Sequence, residues 1–139
     1  MLNRMGATVV GAGTSRIDID GTDRLEAVTH SVVPDRLEVA TFLAALGVTG
    51  GELTLRRTRP DHIELLIDRM GAMGMRISPE GDSIWAMSRT RPRATALATL
   101  PYPGLATDFL PLLVAVLCFA EGTSFRDRER LRRALRIRR

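Results

Sequence analysis

Two short runs in this sequence join a helix-starting signal to a carboxylate, and either could do chemistry. In Leu105-Ala106-Thr107-Asp108 the Thr-Asp pair leads into an unbroken apolar run from Phe109 to Ala120. Just upstream, Pro101, Pro103 and Gly104 forbid regular structure and impose a fixed turn. Thr107 and Asp108 are good N-cap residues, so the spacing predicts a helix that begins there. Asp108 would then sit at the end of a rigid loop, either as a cap or as a site residue. In Val33-Pro34-Asp35-Arg36 a second proline-led aspartate has a guanidinium beside it. That pair reads equally well as a cap with a solvated first-turn charge or as a ligand-binding pair.

The other reactive residue types offer less. Cys118 falls inside the apolar run and reads as a small buried hydrophobe. His30 and His62 are separated by a helix and a strand and have no Cys or His partner at ligand spacing, so neither a metal site nor a cofactor is predicted. Met70, Met73 and Met75 read as core filler, and Trp85 as a packing residue on an outer hairpin. Gly11 and Gly13 lack the third glycine of a dinucleotide loop and precede a strand pattern, which excludes that motif.

The elements that would position these residues follow from local pattern. Residues 5–20 read as a hairpin turning at Gly11-Ala12-Gly13-Thr14. Residues 29–33 read as a short strand, and a helix follows from Pro34-Asp35 to near Gly47. Gly50-Gly51 turns into a strand over 52–58, and Pro60-Asp61 starts a second helix with Ile63, Leu66, Ile67, Met70 and Met73 at helical spacing. A hairpin over 75–78 and 83–87 closes a β-α-β-α-β-β pattern. The pattern restarts with a strand over 94–99, the proline-rich turn, the apolar helix, Gly122 and a strand over 123–125. We read one complete repeat over 29–88 and a partial one over 94–125. A helix apolar all round predicts burial on every face, and a repeat that breaks off leaves an unpaired sheet edge to be covered.

Composition narrows the class. With 139 residues, 45% hydrophobic and 26% charged, the chain fits a single globular domain. The apolar run of twelve residues falls short of the ~20 needed to cross a bilayer, so no membrane association is predicted. No signal-peptide pattern opens the sequence, and a single cysteine suits a reducing compartment, so a cytoplasmic protein is the expectation. Residues 126–139 carry eight arginines and a net +6 within a whole-chain charge of +4, which leaves residues 1–125 at −2. All 20 basic residues are arginine, which removes lysine chemistry. Such a tail could contact phosphates, but no aromatic residue beyond Phe125 could stack a base, which argues against nucleic acid as a partner.

The motifs together resemble the UDP-N-acetylglucosamine 1-carboxyvinyltransferases of the enolpyruvyl transferase family. The resemblance rests on Met5-Gly6-Ala7, Gly11-x-Gly13-Thr14, Arg16-Ile17, Ile19, Gly21 and Leu25. It continues through Val33-Pro34-Asp35-Arg36-Leu37-Glu38, Thr41-Phe42-Leu43 and Tyr102-Pro103-Gly104-Leu105-Ala106-Thr107-Asp108. It implies an α/β (α+β) piece of an inside-out barrel built of β-α-β-α-β-β repeats, with helices enclosed by sheets. The shikimate-pathway relatives share that fold but not the Pro-Asp-Arg and Tyr-Pro-Gly signatures.

The reaction implied is transfer of the enolpyruvyl group of phosphoenolpyruvate to the 3-hydroxyl of UDP-N-acetylglucosamine, releasing phosphate, in peptidoglycan precursor synthesis. Asp108 matches the family's Thr-Asp aspartate, which binds the sugar hydroxyl and serves as its base. Thr107, Asp35 and Arg36 match substrate-proximal positions, and Tyr102 stands where many members carry histidine. The family's active-site lysine has no counterpart, and Cys118 does not match its loop cysteine. The chain therefore reads as a truncated homologue with a transferase-like domain over 1–125 and a divergent tail over 126–139. Self-association or a partner chain would supply the rest of the cleft. A non-catalytic ligand-binding or assembly module with the same fold is the alternative.

Overall fold

The computed structural model describes residues 1–97 and 105–123. The Tyr102-Pro103-Gly104 turn, the tail over 126–139 and most of the strand predicted over 123–125 lie outside them. The chain forms two compact units, Met1–Val33 and Pro34–Arg139.

The first unit is a hairpin. Strand β1 (Thr8–Val10) pairs antiparallel with β2 (Asp18–Asp20), with Val9 opposite Ile19. Asn3 grips β1 from a preceding 3-10 turn: its side chain accepts from the Val9 amide at 2.7 Å and donates to the Val9 carbonyl at 2.9 Å. Gly11 and Gly13 belong to the hairpin turn, in keeping with their exclusion as a nucleotide loop. The strand expected over 29–33 is absent. Val32 is 84% exposed there, and with no ladder partner among the described residues the local β preference of this segment forms no strand.

The second unit holds the core. Helix α1 (Arg36–Thr49) is followed by strand β3 (Gly51–Leu55). A 3-10 turn (Pro60–His62) leads into α2 (Glu64–Ala72), then β4 (Arg76–Glu80) and β5 (Ser83–Ser88). The sheet order is β3-β5-β4, antiparallel throughout, with Leu53 and Ile77 both opposite Ala86. Register therefore sends Leu53, Ile77 and Ala86 to one face and Glu52, Ser78 and Trp85 to the other. On that second face Trp85 Nε1 donates to Glu52 at 2.7 Å. Thr58 is buried and ties the loop after β3 to the turn of the β4–β5 hairpin, its amide and hydroxyl both donating to the Asp82 carbonyl.

A last 3-10 turn (Thr107–Phe109) runs directly into α3 (Leu110–Cys118). Helices α1 and α3 pack side by side, and Gly47 permits their close approach: a Cβ there would meet Met75 Sδ at 3.2 Å and Val116 Cγ1 at 3.3 Å. Leu43, Leu66, Met70, Met73, Ile84, Leu113 and Val116 form the centre of the core, which places two of the three methionines read as filler at its heart and packs Met75 against them. Burial on every face of α3 does not hold. Only Leu110, Leu113 and Val116 of that helix are buried, while Pro111, Ala115 and Cys118 face outward. One stripe satisfies the described core, and the composition of the helix exceeds what that stripe requires. For the same reason Cys118, expected inside, is exposed.

Residues 94–97 form no strand, but Arg93 and Glu121 make an isolated parallel bridge. Parallel pairing of this kind needs a long crossover connection, which the segment carrying α3 provides.

Candidate functional site

The predicted site residues lie at the amino ends of two helical segments, and of the four only Arg36 lines the cavity that a third such end shares, while Asp35, Thr107 and Asp108 stand outside its wall. At the first, Pro34 ends the preceding stretch and Asp35 caps α1, its Oδ1 accepting from the Leu37 amide at 2.7 Å. Glu38 adds a first-turn acid that suits the positive end of the helix. Arg36 opposes that preference, and its guanidinium lies instead over the ring of Phe109, 5.5 Å from the centroid.

At the second, Thr107 and Asp108 occupy the 3-10 turn ahead of α3. Their expected capping role is corrected here: Ala106 is the N-cap, and no side chain caps this end. Both are exposed, and among the described residues the Asp108 carboxylate accepts no hydrogen bond. An aspartate that neither caps nor pairs retains both oxygens for a ligand.

The third end, ahead of α2, was not legible as part of a site. Arg59 binds Asp61 through two parallel bonds, Nε to Oδ1 at 2.9 Å and Nη2 to Oδ2 at 2.7 Å. These hydrogen bonds hold the Asp61 carboxyl below the usual aspartate range and raise the Arg59 guanidinium above its own. His62 Nε2 stands 3.8 Å from Asp61 Oδ2.

A cavity of about 120 Å³ joins the three ends, walled by Arg36, Asp61, His62, Leu105, Ala106 and Phe109 among others. It brings Arg36 together with residues of the loop that carries Thr107 and Asp108, which sequence spacing alone could not do. His62, read as isolated, is part of its wall, and Phe109, read as one more member of an apolar run, is the link between the two motif segments. A larger open groove of about 460 Å³ between α2 and β4 includes none of the predicted site residues. No group of three or more His, Cys, Asp or Glu among the described residues could hold a metal. Nor is any helix among them long and apolar enough to cross a membrane.

The arrangement offers an exposed carboxylate for proton transfer or hydroxyl binding and a guanidinium for an anion. Comparison with known proteins agrees in class. The EPSP synthase (3-phosphoshikimate 1-carboxyvinyltransferase) family matches residues 1–134. UDP-N-acetylglucosamine 1-carboxyvinyltransferase 1 of Symbiobacterium thermophilum is 45% identical over 123 residues, which are 88% of this chain and 28% of that protein. The crystal structure of the enolpyruvyl transferase NikO from Streptomyces tendae matches with a TM-score of 0.67 at 26% identity, over 89% of this chain and 31% of that one. The chain thus spans under a third of the length of either protein.

Proposed function

The chain belongs to the EPSP synthase family, a family of carboxyvinyltransferases, and from that premise we propose that it supplies the aspartate-bearing part of an enolpyruvyl transfer site. The donor is phosphoenolpyruvate and the acceptor the 3-hydroxyl of UDP-N-acetylglucosamine, in cytoplasmic synthesis of a peptidoglycan precursor. The observation that carries this reading is the 45% identity over 88% of the chain to a carboxyvinyltransferase of that acceptor. Asp108 takes the proton of the acceptor hydroxyl, which makes the oxygen a nucleophile. Thr107 contacts the same sugar, Arg36 binds an anionic oxygen of the substrates, and Asp35 holds the loop before α1 against the ligand while capping the helix.

The chain contains no lysine, so the cationic part of the cleft that lysine serves in the family comes from elsewhere. A partner polypeptide, or the part of the family's length outside these 139 residues, supplies it. A non-catalytic assembly module is the second reading, and the outward apolar residues of the helical pair favour it: Phe42 and Phe119 are each 49% exposed.

The test is phosphate release from phosphoenolpyruvate in the presence of UDP-N-acetylglucosamine, for wild type and Asp108→Ala. Release that falls by about two orders of magnitude in the variant supports the assignment of Asp108 as base. Release that the variant leaves untouched removes Asp108 from the chemistry. No release by the wild type, alone or with added partner chain, selects the assembly reading.

A further inference from the structure

Arg36 is held in an unusual way for a cation. It stands in the first turn of α1, where the helix dipole disfavours positive charge. Among the described residues it has no ion-pair partner: the salt bridges there are Arg16–Asp18, Arg59–Asp61 and His62–Asp61. The adjacent Asp35 is occupied with the Leu37 amide. What meets the guanidinium is the Phe109 ring at 5.5 Å, and that ring is itself buried at 3% exposure in the core cluster.

The difference between a carboxylate partner and an aromatic one matters chemically. A carboxylate occupies the N–H edge of a guanidinium, the edge that grips carboxylate or phosphate in parallel bonds. A ring face contacts the flat side of the guanidinium and leaves that edge open. Phe109 therefore restricts where the Arg36 head can go without using its donors. It does so from the residue that directly follows Asp108, so this contact is one of those that tie α1's first turn to the Thr-Asp turn.

We infer that Phe109 is a positioning residue: its ring face holds the Arg36 guanidinium in the cavity wall with the N–H edge free for a carboxylate or phosphate oxygen of the ligand. This rests on the enolpyruvyl-transfer reading for the identity of that ligand. Leucine at this position fills much of the same apolar space but has no quadrupole, whereas tyrosine keeps the face.

The 139-residue chain is used throughout, with the Nε–H resonance of Arg36 observed by NMR and phosphoenolpyruvate as the binding probe. In wild type and Phe109→Tyr the Arg36 resonance carries a ring-current shift, and in Phe109→Leu it moves to the position of a solvated arginine. Phosphoenolpyruvate affinity falls roughly ten-fold in Phe109→Leu and is restored in Phe109→Tyr. In an Arg36→Gln background, which leaves the buried ring intact, Phe109→Leu causes no further loss. An Arg36 resonance unchanged by Phe109→Leu overturns the inference. So does unaltered affinity once the shift is gone, or a full ten-fold loss in the Arg36→Gln background. If the wild type shows the ring shift and loses it in Phe109→Leu, yet binds inorganic phosphate and not phosphoenolpyruvate, the positioning role stands and the substrate reading falls.

Discussion

Arg93 and Glu121 stand opposite each other in a parallel bridge, closed by the Ala94 amide on the Glu121 carbonyl and the Glu121 amide on the Pro92 carbonyl, both at 2.8 Å. The bridge joins the two ends of the segment that holds the Thr107–Asp108 turn and α3. Gly122 makes it possible: its φ is 101°, and a Cβ there would come within 3.1 Å of Ala94 Cβ. Gly122→Ala is expected to cost more than ~1 kcal/mol, from backbone strain and the Ala94 contact together. Thermal denaturation of the variant checks this, and an unchanged midpoint would show that the bridge is not formed in solution.

Asp35 both caps α1 and is proposed to face ligand, and two substitutions separate the roles. Asp35→Ala removes the bond to the Leu37 amide and should lower stability by about 1 kcal/mol. Asp35→Asn keeps a good cap, so its stability should match wild type. If UDP-N-acetylglucosamine affinity falls in Asp35→Asn as far as in Asp35→Ala, the charge serves the ligand. Equal affinity in Asp35→Asn and wild type confines the residue to capping.

Leu113 is fully buried on the stripe by which α3 joins the core. Leu113→Ala should cost about 2–5 kcal/mol, depending on how far the helix can settle into the space. Ala115→Ser, on the outward face of the same helix, should change stability by less than ~0.5 kcal/mol. Urea denaturation of the pair tests the one-sided burial, and equal losses would contradict it.

The Asp61 carboxyl is held down chiefly by its hydrogen bonds from Arg59. A carboxyl with a depressed folded-state pKa contributes stability above its unfolded value, near pH ~4, and loses it as pH falls through the folded value. The Asp61 titration midpoint, followed by carboxyl-carbon NMR, should lie below the ordinary aspartate range. It should return to the ordinary range in Arg59→Gln, and molar salt should reduce the depression because the pair is exposed. A midpoint insensitive to Arg59→Gln would assign the depression to another cause.

Much of this protein was legible locally. The start of α1 at Pro34-Asp35 follows from proline geometry and a capping side chain, and the β4–β5 hairpin around Gly81 from turn chemistry. The methionines at 70, 73 and 75 follow from helical spacing and apolar character. These rest on interactions within a few residues, which the order of side chains alone determines. Residues 29–33, the outward face of α3 and Cys118 were not legible, because a strand needs a ladder partner and burial needs an opposing surface. The same holds for the site. Asp108 and Asp35-Arg36 stand out as motifs, but only the tertiary structure sets Arg36 on Phe109 and brings the Asp61-His62 turn into the cavity that Arg36 lines. The Arg36–Phe109 contact crosses some seventy residues of chain, and the packing of α1 against α3 decides it, not any spacing along the sequence.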